Sequence, residues 1–419
     1  MAETSKLEEA LQNINGMEIA ELAATMASIP SPTGREQQMG DFLYSWLTDQ
    51  GFAPERHEVG DGRCSIVARL QGSGGGKSLI FNSHMDTILY GEEDIWLVPR
   101  EEYHYNHGWV EDGKAYGEGL VNDKGPMAAF MLATRALRDA AVPLRGDIIM
   151  TMVVGEIGMA PIDEYQGARY LGKGIGAQNL IDHGLWGDYC LNAETTGFGI
   201  TWAECGAAYY KVTLFGGRRL YTPYIRRPYT RQEQPNAIVR MAHLISRIEQ
   251  WGLEYEKAHT RTFEGGEIVP KVNVGAVRGG VPFKPASTVG VCSAYVDVRI
   301  PPGDGPDEAQ QELNGLLDAL GYPGKVECYM FRRGYIGENI GPLRQVIEQA
   351  HERIRGGKPP FPSTPTSSMW RDINVFNGAG IPSITYGPGS GPSEMSYLTV
   401  DDLHRAARLY AATAFYACS

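Results

Sequence analysis

Apolar and polar positions alternate along this chain in two ways. The stretches Leu79-Ile80-Phe81-Asn82, Ile148-Ile149-Met150-Thr151-Met152-Val153-Val154 and Tyr189-Cys190-Leu191-Asn192 are almost continuously apolar, as strands buried on both faces are. Around them apolar residues recur at three- and four-residue spacing over 7–29, 35–50, about 125–140, around 166–184, 342–355 and from Asp401 to Ala417, which predicts amphipathic helices. Pro30-Ser31-Pro32-Thr33-Gly34 separates the first two. Cys64–Leu70 and Ser78–Asn82 read as strands joined by the flexible loop Gly72-Ser73-Gly74-Gly75-Gly76, and Pro382–Tyr386 as a late one. Strands alternating with helices predict an α/β domain with a mostly parallel sheet between helices.

From about residue 207 the pattern changes. Tyr209–Leu214, Val272–Val277, Val289–Val298 and Lys325–Phe331 read as strands, and Asn236–Trp251 and Asp307–Leu320 as helices. Two helices on an antiparallel sheet predict an inserted α+β domain. The predicted organisation is a first catalytic part at 1–206, the insertion at 207–333, and a second catalytic part at 334–419. Residues 88–116 form a long polar connection carrying Trp96, Tyr103, Tyr105 and Trp109; a loop of that length inside a compact domain is usually functional.

The chemistry collects at the strand ends. The run at 79–83 ends in His84, and Asp86 follows two residues later. A His at the end of a buried strand can bind a metal through one ring nitrogen while an Asp holds the other and fixes the tautomer. His-x-Asp alone is common. Here it is joined by Asp123 in the Gly-rich turn 117–125, by Glu156 after the strand at 148–154, and by Glu194 after the strand at 189–192. In parallel sheets ligands bind beyond the carboxyl ends of the strands, so His84, Asp123, Glu156 and Glu194 make a candidate metal site.

Composition narrows the field. The chain has 419 residues, too many for one ordinary core, and a hydrophobic fraction of 42% with a charged fraction of 21%. Its net charge of −12 argues against nucleic-acid and anionic-membrane partners. No apolar run is long enough to span a bilayer, and the start resembles no signal peptide. Six dispersed cysteines offer neither a zinc knuckle nor a disulfide framework. A reduced, cytoplasmic protein is expected.

The motifs His84-Met85-Asp86-Thr87, Tyr116-Gly117 through Asp123-Lys124-Gly125, Glu156-Ile157-Gly158 and Glu194 resemble metallopeptidase family 20. So do Pro235-Asn236-Ala237-Ile238, Asn273-Val274-Gly275, Asp297-Val298-Arg299, Gly380-Ile381-Pro382 and Gly387-Pro388-Gly389, in the family's order. That family includes aminoacylases, carboxypeptidase G, acetylornithine deacetylase and succinyl-diaminopimelate desuccinylase. The resemblance implies a zinc-peptidase-like catalytic domain interrupted by a lid that forms a homodimer contact. It implies His84, Asp123 and Glu194 as ligands of one metal, and Asp86 orienting His84. It further implies a second metal, bridged by Asp123 and held by the second Glu of a Glu-Glu pair and a late His.

Three departures limit the likeness. The Glu-Glu pair reads Gly155-Glu156, so the position of the family's general base has no side chain. No His lies between His351 and His404, where the late ligand belongs, although Glu394 is near that place. The lid stretch Gly216 to Tyr221 lacks the His that would stabilise an oxyanion. One divalent transition metal per subunit (manganese, zinc or cobalt) is therefore expected, with Glu156 either accepting a proton from water or completing the metal's shell. Arg218, Arg219 and Arg226, interleaved with tyrosines, and Arg371 are candidates to bind a small anionic aromatic substrate. Within the family the pattern is most similar to enzymes that replace the ring amino group of a nitro-substituted aminobenzoate by hydroxyl. An amidohydrolase or dipeptidase, and a non-catalytic metal- or ligand-binding relative, are the alternatives.

Overall fold

The computed structural model describes residues 2–88, 107–361, 368–389 and 397–419. Most of the aromatic connection at 88–116, including Trp96, Tyr103 and Tyr105, lies outside the described residues, as does Glu394. The chain forms two compact units: Met1–Trp202 with Ile336–Thr366 and Arg371–Ser419, and Ala203–Tyr335 with Ser367–Trp370.

The first unit is built on a seven-stranded sheet in the order Glu55–Gly60, Arg63–Leu70, Ile148–Val153, Leu79–His84, Tyr189–Asn192, Ser383–Tyr386, Ile200–Thr201. Its three central pairings are parallel and its three outer ones antiparallel. The sheet is thus mixed rather than mostly parallel. One of the antiparallel pairings has a local cause. Asp61 and Gly62 adopt φ of 54° and 76°, the left-handed pair of a tight hairpin turn, and fold Glu55–Gly60 back as an edge strand. That strand is polar and largely exposed, so its sequence carries no apolar run to predict it from.

Leu79–His84 is central and buried at every position. Leu79 and Phe81 pack into the large core beneath the helices Gly16–Ala27, Gly125–Asp139, Gly341–Arg355 and Val400–Cys418, while Ile80 joins a smaller core with Ala177, Leu180 and Phe376. Alternation along one strand therefore feeds both faces. Two helical expectations are corrected. The helix expected at 7–29 is two, Ala2–Asn13 and Gly16–Ala27, because the Asn15 side chain accepts from Met17 N at 2.9 Å and caps the second. The one expected around 166–184 is a single turn at Ala168–Tyr170 and a helix at Ile175–Asp182. Gly167 and Gly174, at φ of 101° and 77°, interrupt it.

The second unit is a four-stranded antiparallel sheet in the order Val272–Gly279, Val291–Ile300, Gly206–Phe215, Gly324–Arg332. Ala237–His259 and Asp307–Leu320 pack on it around Tyr210, Val212, Leu244, Ile248, Val296 and Leu313. The first helix runs on to His259 because the buried stripe Leu244, Ile248, Trp251 continues at Tyr255. All six cysteines are free thiols. No helix among the described residues is long and apolar enough to cross a membrane.

Candidate active site

His84 closes the central strand at the place where the strand order reverses. From Leu79–His84 the chain goes to Ile148–Val153 on one side and then to Tyr189–Asn192 on the other. Loops leaving such a point diverge and open a crevice at the carboxyl end of the sheet. Glu156 lies three residues past one neighbouring strand and Glu194 two residues past the other. Asp123 arrives from the turn that precedes the helix Gly125–Asp139 and follows a cis peptide bond after Asn122.

His84 is the centre of the geometry. Its Nε2 lies 3.1 Å from Asp123 Oδ2 and 3.7 Å from Glu156 Oε2. Its Nδ1 lies 3.1 Å from the Asp86 carbonyl oxygen and 3.4 Å from Asp86 Oδ1. The Asp86 carboxylate also accepts from Glu156 N at 3.1 Å, Ile157 N at 3.0 Å and Thr33 Oγ1 at 2.8 Å. Asp86 therefore ties the end of the His84 strand to the loop bearing Glu156, besides facing the ring.

His84, Asp123 and Glu194 each offer an atom such that all three lie within 4.8 Å of one another. Glu156 is not part of that mutual set, although its carboxylate is close to His84. The trio fits a divalent cation. Asp123 Oδ1 is buried without a hydrogen-bond partner among the described residues, and Oδ2 has the His84 ring 3.1 Å away; an unmet buried carboxylate oxygen is costly unless a cation meets it.

The electrostatics agree. Burial and the nearby Glu194 charge push the Asp123 carboxyl up to about 8, against the pull of His84. Burial also raises Glu156, although His84 and Lys173 oppose it. Burial favours neutral His84, but the charges and hydrogen bonds of Asp123 and Asp86 outweigh it and hold the imidazole well above its usual range. Asp86 is raised by burial but carried below the usual range by His84 and the Ile157 and Glu156 N–H groups. Acidic groups that cannot all ionise together in one pocket are a common mark of a metal site.

Gly155 is more than an absent side chain. It sits at φ +66°, and a Cβ there would lie 2.6 Å from Ile175 Cγ2 and 2.7 Å from Arg63 Nη2. The backbone beside Glu156 is shaped for glycine.

The arginines part company. Arg218, Arg219 and Arg226 are exposed on the second unit; Arg219 Nη2 donates to Tyr221 OH at 2.5 Å and Arg226 Nη1 to Pro223 O at 2.7 Å. Arg371 is 2% exposed and its Nε donates to Glu194 Oε2, so this candidate substrate-binding group is engaged with a candidate metal ligand. The sequence reading missed Asn82, Asn192 and Asp372, all buried. Asn192 Nδ2 donates to Glu194 Oε1 at 2.8 Å, and Asn82 Nδ2 donates to Asn192 Oδ1 at 2.8 Å and Asp372 Oδ2 at 3.1 Å. The available signal was an Asn inside each of two apolar strands, where a buried amide must have a job.

Fold and site together define a hydrolase of the divalent-metal class, built on an α/β domain with an inserted α+β unit. The profile of peptidase family M20/M25/M40 matches residues 80–416, and the chain belongs to that family, whose members hydrolyse amide- and peptide-type bonds. It is 29% identical over 405 residues to the N-formyl-4-amino-5-aminomethyl-2-methylpyrimidine deformylase of Bacillus subtilis, covering 89% of this chain and 87% of the relative. Among solved structures it is similar to aminopeptidase PepT of Bacillus cereus, with a TM-score of 0.68, 18% identity, and coverage of 97% of this chain and 100% of that one. A dinuclear metal-binding M20 peptidase of Bacillus subtilis aligns with a TM-score of 0.60 at 12% identity, over 96% of this chain and 98% of that one. Those structural likenesses speak for the fold.

Proposed function

We propose that this hydrolase works with a single divalent transition metal and removes the amino group from a nitro-substituted aminobenzoate, converting 5-nitroanthranilate and water to 5-nitrosalicylate and ammonia. The observation that carries the reading is Gly155. An amide-cleaving base at that position is absent and, given the φ of +66° and the crowding by Ile175 and Arg63, has no room. A ring bearing a nitro group needs less help, because the charge that develops when water adds to the amine-bearing carbon spreads onto the nitro oxygens.

His84, Asp123 and Glu194 would hold the ion, which when bound lowers the pKa of a water and polarises the substrate. Asp86 fixes the His84 ring through Nδ1. Glu156, buried and 3.7 Å from His84 Nε2, takes the water's proton and passes it to the departing nitrogen. A C–O bond forms, the C–N bond breaks, ammonia leaves with the proton delivered by Glu156, and the second water proton stays on the new phenolic oxygen. The lid arginines Arg218, Arg219 and Arg226 are the proposed partners of the substrate carboxylate. A homodimer through the second unit completes the reading; the edge strand Val272–Gly279, with Val277 exposed, supports it.

The second reading is hydrolysis of an N-formyl or other N-acyl bond, supported by the 29% identity over 89% of the chain to a deformylase whose named substrate carries an aminopyrimidine ring. Turnover in oxygen-18 water separates the two. With the nitroaromatic amine, label is expected on the phenolic oxygen together with free ammonia, and turnover should vanish when the nitro group is removed. Label solely in formate or another carboxylate, from N-formyl or N-acyl substrates, would overturn the aromatic reading.

A further inference from the structure

Glu194 is held by a closed ring of buried groups. Its Oε1 accepts from Asn192 Nδ2 at 2.8 Å; Asn192 Oδ1 accepts from Asn82 Nδ2 at 2.8 Å; and the same Nδ2 donates to Asp372 Oδ2 at 3.1 Å. Asp372 is joined through the peptide bond to Arg371, whose Nε returns to Glu194 Oε2. Thr151 Oγ1 donates to Asn82 Oδ1 at 2.8 Å. At each end of the amide chain the facing carboxyl oxygen accepts from an amide nitrogen, Glu194 Oε1 from Asn192 Nδ2 and Asp372 Oδ2 from Asn82 Nδ2. Each amide must therefore point its nitrogen toward an acid, and Thr151 occupies the one carbonyl left over. The ring has one consistent polarity. Asn82, Asn192, Arg371 and Asp372 are each no more than 2% exposed.

The ring leaves Glu194 an unusual ligand. One oxygen accepts from a neutral amide, and the other lies against a fixed, fully desolvated guanidinium. Groups behind a metal ligand usually make it a stronger donor, as a carboxylate does behind a His. A cation behind a carboxylate does the reverse: it draws electron density from the oxygen and repels the ion. We propose that Arg371 is a positioning residue that holds Glu194 and supplies, as part of the chain, a positive charge that lets this acidic pocket function with one divalent ion. Arg371 thereby trades ion affinity for ion acidity. The inference rests on the single-metal reading above and deepens it.

Titration with Co2+, followed by its visible absorption, reads affinity and ligand geometry together. Arg371→Gln keeps an N–H donor and loses the charge; Arg371→Lys keeps the charge. Arg371→Gln should bind Co2+ about tenfold more tightly or better, the sign following from removal of a repelling charge in a low-dielectric pocket, and its spectrum should change. Arg371→Lys should stay near wild type in both. Weaker binding by both variants would mean that Arg371 merely packs the site, and unchanged binding by Arg371→Gln would make it a bystander; either overturns the proposal. If Arg371→Gln does not fold, Arg371→Lys decides alone, a tenfold loss of affinity being the refuting result. Wild-type protein that binds no Co2+ would overturn the metal reading as well, whereas two ions per wild-type chain would overturn the single-ion basis.

Discussion

Replacing Gly155 by glutamate would restore the Glu-Glu pair of the family pattern, and a sequence argument alone would expect it to rebuild an amide hydrolase. The structure leads to a different expectation. At φ +66° any residue with a Cβ meets the left-handed penalty of about 1–2 kcal/mol. The Cβ also lies 2.7 Å from Arg63 Nη2 and 2.6 Å from Ile175 Cγ2, so one of them must move. Arg63 is poorly placed to yield. Its Nε and Nη2 bind Glu36 Oε2 and Oε1, each at 2.7 Å, and its Nη1 donates to Ala168 O at 2.6 Å and Leu171 O at 2.8 Å. Both partners are buried, at 1% and 0% exposure. Breaking a buried pair so that one charge is stranded costs about 3–5 kcal/mol. The sum, about 4–7 kcal/mol, is a large part of the roughly 5–15 kcal/mol that holds a typical domain.

The penalty belongs to the Cβ, so Gly155→Ala should already show most of it. Urea unfolding is the assay. A chain of two units need not unfold in one step, and the transition of the unit that contains Gly155 should move furthest. We expect Gly155→Ala to lose about 4–7 kcal/mol, Gly155→Glu no less, and neither to acquire activity on N-acyl amino acids. A Gly155→Glu protein with wild-type stability and new amide hydrolysis would refute the argument. So would a Gly155→Ala protein within about 0.5 kcal/mol of wild type, the ordinary range for an uneventful surface change.

Other predictions concern the metal, the lid and acid stability. His84→Ala, Asp123→Ala and Glu194→Ala should each lose the ion in elemental analysis, and Asp86→Ala should weaken affinity or activity about 10- to 100-fold; full loading by all three ligand variants would remove the site. Wild type should carry about one ion per chain; two firmly bound ions would show that another group, such as Glu394, replaces the late His. Among Arg218→Ala, Arg219→Ala and Arg226→Ala, the one that meets the substrate carboxylate should raise KM about 10- to 150-fold, and wild-type kinetics in all three would end the clamp idea. Burial, with Arg355 nearby, lowers the His351 imidazole to about 4, and its Nδ1 lies 2.8 Å from Tyr386 OH. Because the unfolded His titrates near 6.5, this contribution is complete above about pH 6.5 and disappears as pH falls to about 4, amounting to at most about 3 kcal/mol. His351→Asn should flatten the fall in stability between those pH values, and an unchanged acid limb would discount His351.

Much of the fold was legible because burial writes itself into sequence. The strand Leu79–His84, central and buried at every position, announces itself by the apolar run Leu79-Ile80-Phe81, and Asp307–Leu320 shows its helix through Leu313, Leu317 and Leu320. What escaped was held by other forces. Glu55–Gly60 is an exposed edge strand specified by a two-residue turn, and the break before Gly16 is specified by a single capping side chain, Asn15. The candidate ligands were legible because carboxylates and a His at the ends of apolar runs are costly unless something meets them. Their supporting groups were not, because Asn82 and Asn192 sit within strands whose apolar neighbours dominate the pattern. Nor does the sequence distance between Glu194 and Arg371 hint that they touch.

That unseen layer bears on why the departures from the family occur together. A pocket that gathers Asp86, Asp123, Glu156, Glu194 and Asp372 with His84 is strongly acidic, and buried carboxylates repel unless cations are interspersed. Asp372 shows the strain: burial and then Glu156 push its carboxyl well above the usual range. In a two-metal site a second ion would answer that repulsion. Here Gly155 removes one acid from the family pattern, and the stretch where the late His belongs contains no His. Arg371 meanwhile places a guanidinium against Glu194. The lost carboxylate lowers the demand for positive charge, the absent His weakens the hold on a second ion, and the arginine supplies charge from the chain itself. Each of these features makes the others easier to tolerate, as expected of charges that share one electrostatic pocket. Restoring the Glu-Glu pair alone, by Gly155→Glu, should therefore yield a less stable protein and not a step back toward the two-metal pattern.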